Sequence, residues 1–326
     1  MPLVLLLFPI LTRAALGAVL CLSSSDAADK VPARNTRPWE PLPSMPTARS
    51  EIACATIGDK VYVVGGIALD GSKRAFESYD ARTGQWDKLA SLPTKLNHSG
   101  VAAWGGTIYV SGGFRDLRQK QFSGDLYAYD VRSDRWRSLG PMPGFRNKHF
   151  MIARDGWLHL IGGLQHREIW SYHLATGEWR SDRLAPIPAQ RDHIAVLQDK
   201  RHLYIVGGRE GRVVREACWL YDFQRREWTE FAEIPCPRSA PAAVLHQGRI
   251  HVVGGENLET QKVLSRHDVF DLETGRWTQG EPFPRPRHGV ASCRIEDRWI
   301  VIGGGRKAEI GTVFSATRAV EAMALE

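Results

Sequence analysis

Six short apolar runs, each ending in a pair of glycines, divide the chain at regular intervals. Aliphatic and aromatic residues predominate in these runs, as they do in β-strands that are buried on both faces. The runs are Val61–Gly66, Ile108–Gly113, Leu158–Gly163, Leu203–Gly208, Ile250–Gly255 and Trp299–Gly304. Successive glycine pairs are 45 to 50 residues apart, and no 3.6-residue period is sustained between them. The pattern predicts an all-β chain made of six copies of one unit.

A tryptophan precedes each glycine pair at a nearly constant distance, which is 26 residues in five units and 28 in the other. The six are Trp39, Trp86, Trp136, Trp179, Trp228 and Trp277. An aromatic residue and a polar one, usually Asp, stand seven and six residues before the last five: Tyr79-Asp80, Tyr129-Asp130, Tyr172-His173, Tyr221-Asp222 and Phe270-Asp271. Glycine pair, aromatic-Asp and Trp in this order resemble the kelch repeat, and the resemblance covers residues 36–326.

The resemblance implies an all-β, six-bladed kelch β-propeller, since each kelch repeat forms one four-stranded blade. Trp39 has no glycine pair before it, and Gly303-Gly304 has no Trp after it. We therefore expect Trp39 on the outer strand of the last blade and residues 316–325 as the third strand of that blade. The N-terminal strand would then close the ring, with no room for a second domain.

The first 28 residues differ in composition from the rest. Leu3–Leu11 and Ala14–Leu22 are nearly all apolar, and small polar residues follow to Ala28. This is typical of a secretory signal. We expect residues 1–28 to be that signal, 29–35 a linker and 36–326 the propeller, which gives a periplasmic or secreted protein with no membrane span once mature. A retained anchor is an alternative because no Lys or Arg precedes Arg13.

Four cysteines follow the signal, without the close spacing of a disulfide framework. Cys54 and Cys293 are predicted on the innermost strands of neighbouring blades. They stand at positions of opposite strand parity, so we expect them to face different ways. Isolated buried thiols are the favoured interpretation.

The formal charge is +7, from 43 Lys and Arg against 36 Asp and Glu. No Lys/Arg run exceeds three residues and no nucleic-acid-binding motif is present, so we expect no nucleic acid partner. The modest excess of positive charge suits an anionic small molecule or glycan, or a protein of the cell envelope.

Arginine recurs sixteen residues before the glycine pairs, with Leu96 as the one exception. This position leads into the innermost strand, on the face that carries the second-to-third-strand loops and the loops between blades. Guanidinium groups gathered there would suit bidentate recognition of carboxylate, sulfate or phosphate. The alternative is that they bind carbonyl groups at blade junctions. The predicted ligand-binding residues are Arg49, Arg146, Asn147, Arg191, Asp192, Arg209, Glu210, Arg238, Glu256, Arg287, His288 and Arg306.

Catalytic motifs are few. His98, His149, His193 and His288 are predicted near the same face, but they do not all share one offset along their strands, so we expect no metal site and no cofactor. The favoured function is a monomeric binding module for an anionic glycan or an envelope protein. The alternative is a sugar mutarotase or epimerase, because the chain also resembles the bacterial periplasmic N-acetylneuraminate mutarotases. A copper oxidase is less favoured than either.

The first testable prediction concerns export. Fractionation of cells that express the native gene should place a shortened protein outside the cytoplasm, because the signal is removed during export. N-terminal sequencing should find a new terminus near Ala28 or Asp29. A full-length product in the cytosol would contradict the prediction.

Overall fold

The computed structural model describes residues 38–326. The predicted signal, linker and first two residues of the propeller lie outside this range. Six four-stranded antiparallel sheets are arranged as the blades of a propeller, which confirms the predicted fold class. None of the helices in the described residues is long and apolar enough to cross a membrane.

The strands of each blade are given from the axis outward. In blades 1 to 3 they are Ala53–Ile57, Lys60–Val64, Phe76–Asp80 and Gln85–Lys88; Gly100–Trp104, Thr107–Ser111, Asp125–Asp130 and Arg135–Pro141; Phe150–Arg154, Trp157–Ile161, Trp170–His173 and Trp179–Arg180. In blades 4 to 6 they are Ala195–Gln198, His202–Val206, Ala217–Asp222 and Glu227–Glu233; Ala242–His246, Arg249–Val253, His267–Asp271 and Arg276–Gln279; Ala291–Ile295, Arg298–Ile302, Val320–Ala324 and Glu40–Pro41.

Short elements occupy the loops between second and third strands. The hairpins pair Ile67–Ala68 with Gly71–Ser72, Arg209–Glu210 with Val213–Val214, and Glu256–Asn257 with Lys262–Val263. A four-residue helix, Gly311–Phe314, lies in the corresponding loop of blade 6. These loops and those between blades share one face of the propeller, called here the loop face.

Burial follows strand order from the axis outward. Each second strand buries its last four residues, as in Lys60–Val64, because the strand packs against a neighbouring blade on both faces. Outer strands such as Gln85–Lys88 expose all but the Trp. One hydrophobic cluster fills each junction between blades; Val61 and Val63 of blade 1, for example, pack against Ile300 and Ile302 of blade 6.

The recurring aromatic, Asp and Trp form one local unit in blades 1, 2, 4 and 5, and His173 takes the place of the Asp in blade 3. Trp86 packs on Tyr79 with the ring centroids 5.1 Å apart, and its indole N–H donates to the carbonyl of Pro43 in the preceding loop between blades, at 2.8 Å. Asp80 accepts hydrogen bonds from the backbone N–H groups of Arg82 and Thr83, both at 3.0 Å, and so fixes the turn before the outer strand. The repeat in sequence is thus a repeat of turn and packing contacts.

The glycine pairs join neighbouring blades. Gly65 and Gly66 have φ of +57° and +101°, and a Cβ at Gly65 would lie 2.5 Å from the carbonyl oxygen of Leu96. The N–H of the second glycine donates to the carbonyl at the recurring arginine position of the next blade. This bond is present six times: Gly66 to Leu96, Gly113 to Arg146, Gly163 to Arg191, Gly208 to Arg238, Gly255 to Arg287 and Gly304 to Arg49, at 2.8 to 3.0 Å.

The two ends of the described chain meet in blade 6, as predicted. Glu40 pairs with Ala322 and Pro41 with Glu321. Leu42 adds a backbone hydrogen bond to Val320 at 2.9 Å. Trp39 packs against Trp299 of the same blade, with ring centroids 5.2 Å apart.

The expectation that Cys54 and Cys293 face different ways is wrong. Cys54 packs against the cluster that contains Cys293, at the junction of blades 1 and 6. A hydrogen bond with Cys54, together with burial, raises the pKa of the Cys293 thiol. The parity argument failed because adjacent blades pack face to face, so that positions of opposite parity point toward each other.

Removal of the closing strand should destabilise the propeller. A chain that begins at Pro43 lacks the Trp39 ring and the outer strand of blade 6, so it should melt at least about 5 °C below a chain that begins at Asp29. The chain that begins at Asp29 should melt like the full chain. Differential scanning calorimetry checks both, and equal melting temperatures for all three would contradict the closure argument.

Candidate functional site

The recurring arginines do not gather their guanidinium groups at the loop face, so the expectation of a shared ligand-binding group is wrong. Arg49, Arg146, Arg191, Arg238 and Arg287 are all nearly inaccessible to solvent. Their guanidinium groups reach back along their own blades to backbone carbonyl groups. Arg146, for example, donates to Leu160 at 2.5 Å and to Glu168 at 2.7 Å, and its guanidinium carbon lies 4.2 Å from the centroid of the Trp170 ring.

Three of these arginines also form buried ion pairs. Arg49 binds Glu77 at 2.7 Å, and neither side chain is more than 2% exposed. The other two pairs join Arg238 to Asp268 and Arg287 to Glu321. Because a desolvated charge is costly unless it is paired, these contacts assign the arginines to the scaffold. The alternative weighed from the sequence, carbonyl binding, is the arrangement found, although the carbonyl groups belong to the arginine's own blade and not to a blade junction.

The residues that border the axis at this end of the channel stand two residues after the arginine position. They are Glu51, His98, Lys148, His193, Ala240 and Gly289, called here the axial belt. Each has φ between +50° and +60°. The N–H of each of the last five donates to the carbonyl of the member before it, at 2.8 to 3.2 Å, and Ile52 N–H closes the circle on Gly289 at 3.4 Å. The belt encircles the axis at the loop-face end of the innermost strands.

Two cavities meet at the belt. The axial channel, about 490 Å³, is lined by the innermost strands. A smaller cavity of about 270 Å³ opens among the loops of the loop face. Glu51, His98, Lys148 and His193 line both, so their side chains form the boundary between channel and loop face.

Glu51 is the carboxyl group at the centre of this boundary. Its Oε2 lies 3.2 Å from Nε2 of His98 and 3.8 Å from Nε2 of His193. Its Oε1 lies 3.6 Å from Nδ1 of His288. Burial raises the pKa of Glu51, and the charge of His288 opposes that change.

The two belt histidines are buried against each other. Their ring centroids are 5.2 Å apart, with the planes at 89°. Burial holds the pKa of each imidazole well below its usual range. A positive charge on His193 would lower the pKa of His98 further, and the charge of Arg209 lowers the pKa of His193 further. Burial therefore favours the neutral form of both rings.

A network of charged residues borders the cluster. Arg209 donates from Nε to Asp192 at 3.2 Å and from a terminal nitrogen to Glu256 at 3.1 Å. Burial raises the pKa of Asp192, although Arg209 opposes this. Burial also lowers the pKa of Lys148. Four of the predicted ligand-binding residues, Asp192, Arg209, Glu256 and His288, thus meet beside the belt.

The remaining predicted residues lie apart from this cluster. Asn147 is buried, with its side-chain oxygen unpaired. Glu210 forms an exposed ion pair with Arg215 at the second hairpin. Arg306 is exposed in the blade 6 loop. Ligand binding by these three residues stays a prediction.

Two central residues, Glu51 and Lys148, were missed by the sequence reasoning. The signal that could have found them is their place two residues after the recurring arginine, in register with His98 and His193. His149 stands one residue after the belt position Lys148. Its Nε2 is hydrogen-bonded to the Ser111 hydroxyl at 2.8 Å, away from Glu51 and the two belt histidines.

Exposed apolar side chains are concentrated on the loop face. Six of the eight large hydrophobic side chains that the described residues expose belong to its loops: Leu69, Phe122, Phe145, Val213, Ile310 and Phe314. Phe114, Phe122 and Phe145 form a continuous aromatic series, with successive centroids 5.4 and 5.6 Å apart. Phe114 is buried, whereas Phe122 and Phe145 are exposed, and grouped exposed apolar side chains of this kind mark interaction sites.

A basic cavity lies between blades 3 and 4, beside turns of the opposite face. Its volume is about 580 Å³. The basic side chains that line it are Arg154, Arg183, Lys200, Arg201 and Arg226. Arg154 and Arg183 stack on Phe223 and Trp157, at 3.8 and 4.8 Å from the ring centroids. Positive charge is therefore grouped here, away from the axial cluster.

The protein is a six-bladed propeller whose loop face exposes apolar side chains and whose axis carries a buried group of polar side chains at the belt. The family model described as the KLHDC2/KLHL20/DRC7 kelch-repeats domain matches residues 90–255 and 148–319, and the kelch motif matches residues 48–93. The chain belongs to the kelch-repeat family, whose propeller suggests a protein-binding module. No curated protein sequence matches it significantly.

The assignment of the arginines to the scaffold predicts a stability effect. R49A should lower the free energy of unfolding by about 3 to 5 kcal/mol, because Glu77 is left buried with only the Thr47 hydroxyl as a charge-stabilising partner. R115A, which breaks the exposed Arg115–Asp125 pair, should cost less than about 1 kcal/mol. Denaturant unfolding measures both, and the double variant R49M/E77M should recover part of the loss. Similar costs for R49A and R115A would contradict the assignment.

Proposed function

We propose that this chain is an exported, monomeric protein-binding module whose loop face holds an extended segment of an envelope protein. The observation that carries the proposal is the position of the exposed apolar side chains. Phe122, Phe145 and Phe314 are exposed in loops of the loop face, and the exposed Ile310 also lines the cavity of about 270 Å³ there. Large aromatic side chains on a rigid scaffold are the usual energetic centre of protein interfaces.

The smaller cavity, which opens among the loops of the loop face, supports an extended segment rather than a flat surface as the partner. At about 270 Å³ it accommodates one or two side chains. Its walls combine apolar Ile67, Leu258 and Ile310 with the charged Lys148 and Arg209. A partner would satisfy both kinds of surface if its apolar residues packed on the exposed apolar side chains of the loop face and a polar side chain or chain end entered the cavity.

A photo-crosslinking amino acid placed at position 145 or 314 tests this proposal in the native host. Both positions should give a discrete adduct with the same partner, and F122S should reduce its yield. Position 104 is the matched control, because Trp104 is also exposed but belongs to the opposite face. The same adduct from position 104, or no adduct from either loop-face position, would overturn the proposal.

Binding of an acidic sugar is a second candidate, and the basic cavity between blades 3 and 4 favours it. Guanidinium groups beside Phe223 and Trp157 offer charge and stacking surface to a carboxylated ring. The resemblance to N-acetylneuraminate mutarotases makes ring opening the corresponding enzymatic activity. Faster exchange between the anomers of N-acetylneuraminate, followed by proton NMR, would favour the enzyme; a thermal shift without exchange would favour binding alone.

A further inference from the structure

Three imidazole groups and two carboxyl groups meet at the axis. The ligand atoms of Glu51, His98 and His193 all lie within 4.8 Å of one another, and the three side chains are buried. His288 and Glu256 stand beside them, with Nδ1 of His288 3.6 Å from Oε2 of Glu256. Which imidazole nitrogens carry hydrogen decides what this cluster can bind.

The hydrogen bonds of Asn97 fix the tautomer of His98. The amide nitrogen of Asn97 donates to the backbone carbonyl groups of Phe114 and Asp116, both at 3.3 Å, so its oxygen is the end that faces Nδ1 of His98. An amide oxygen only accepts, and Nδ1 must therefore carry the hydrogen. The unprotonated Nε2 of the neutral ring then directs its lone pair at Oε2 of Glu51, 3.2 Å away.

Asp192 fixes the tautomer of His193 in the same way. Its Oδ1 accepts from Nδ1 of His193 and from Nε of Arg209, which holds it in the acceptor role. Nε2 of His193 is again the unprotonated nitrogen, and it lies 3.8 Å from the same Glu51 oxygen. An imidazole whose far nitrogen donates to a carboxylate or carbonyl group is the common arrangement of a metal ligand.

His288 repeats the pattern with the opposite nitrogen. Its Nε2 donates to the carbonyl of Lys307 at 2.9 Å, so Nδ1 is the nitrogen that bears the lone pair in the neutral ring. This atom has no hydrogen-bond partner, although the side chain is only 1% exposed. It lies 3.6 Å from an oxygen of Glu51 and from an oxygen of Glu256.

In their neutral forms, the three imidazoles thus direct nitrogen lone pairs at carboxyl oxygens. Lone pairs that face each other repel unless positive charge lies between them, and a buried unpaired polar group is costly. One proton on Glu51 would satisfy one imidazole. A metal cation would satisfy all of them.

We propose that Glu51, His98 and His193 bind one first-row divalent cation, with Zn²⁺ as the best match, and that His288 lies ready as a further ligand. Imidazole and carboxylate donors suit Zn²⁺ and its neighbours, whereas Ca²⁺ and Mg²⁺ prefer oxygen alone. Binding requires the ligand atoms to draw together onto bonds of about 2.0 to 2.2 Å. The three ligands line both cavities, so the cation would have access to solvent and an open coordination position.

Calorimetric titration of the untagged, chelator-stripped full chain with ZnCl₂ tests the site. Wild type should bind one Zn²⁺ per chain, and H98Q and H193Q should each weaken binding at least about tenfold. H166Q is the matched control: His166 also belongs to the loop face but bonds to the Phe145 carbonyl, outside the cluster. Absence of stoichiometric binding, or equal binding by H98Q, H193Q and H166Q, would overturn the proposal.

X-ray absorption on the zinc-loaded wild type keeps the test independent of variant folding. The zinc K-edge spectrum should show scattering from at least two imidazole rings and a mixed nitrogen and oxygen shell. A shell of oxygen alone, or of sulfur, would overturn the proposal. Circular dichroism of each variant establishes that a lost site is not a lost fold.

Discussion

The hydrogen bond from the second glycine of each pair to the next blade is the constraint on which the rest of the structure depends. Only glycine gives the close approach and positive φ at this point, as Gly65 and Gly66 show. The acceptor is the carbonyl of the recurring arginine position, and that arginine's side chain returns to its own blade. Backbone and side chain of one residue therefore join two blades, and Gly304 to Arg49 completes the circle.

At this same junction, the residues that hold the scaffold together can be distinguished from those that form the candidate site. The Arg49 guanidinium binds the carbonyl groups of Gly65 and Ala75 and the carboxylate of Glu77, whereas the Glu51 side chain, two residues on, faces the imidazoles at the axis. The belt backbone has the same geometry at each position, although the residues there are as different as Glu51, Lys148 and Gly289. The kelch framework fixes where these groups meet and leaves their chemistry to the individual sequence.

How much could be predicted from the sequence differs between fold and site. The blade number and the ring closure could be predicted from the glycine pairs, Trp39 and the C-terminal run. Each of these marks a fixed place within the repeat, and an incomplete repeat at either end of the pattern can be completed only by the other. The direction of Arg146 was not predictable, because a periodic position does not show whether a side chain turns to the axis or along its blade. Glu51 was overlooked because it becomes central only when the blades bring His98 and His193 to it.

The meeting of both chain ends in blade 6 has a consequence for biosynthesis. Arg318 donates to the carbonyl of Met45, its partner 273 residues earlier in the chain. The residues before blade 1 must therefore wait for nearly the whole chain to be translated before they can pair. Long-range contacts of this kind form late, since a large loop must close first. Until then the hydrophobic faces of blades 1 and 6 have no partner and are exposed to chaperones and proteases.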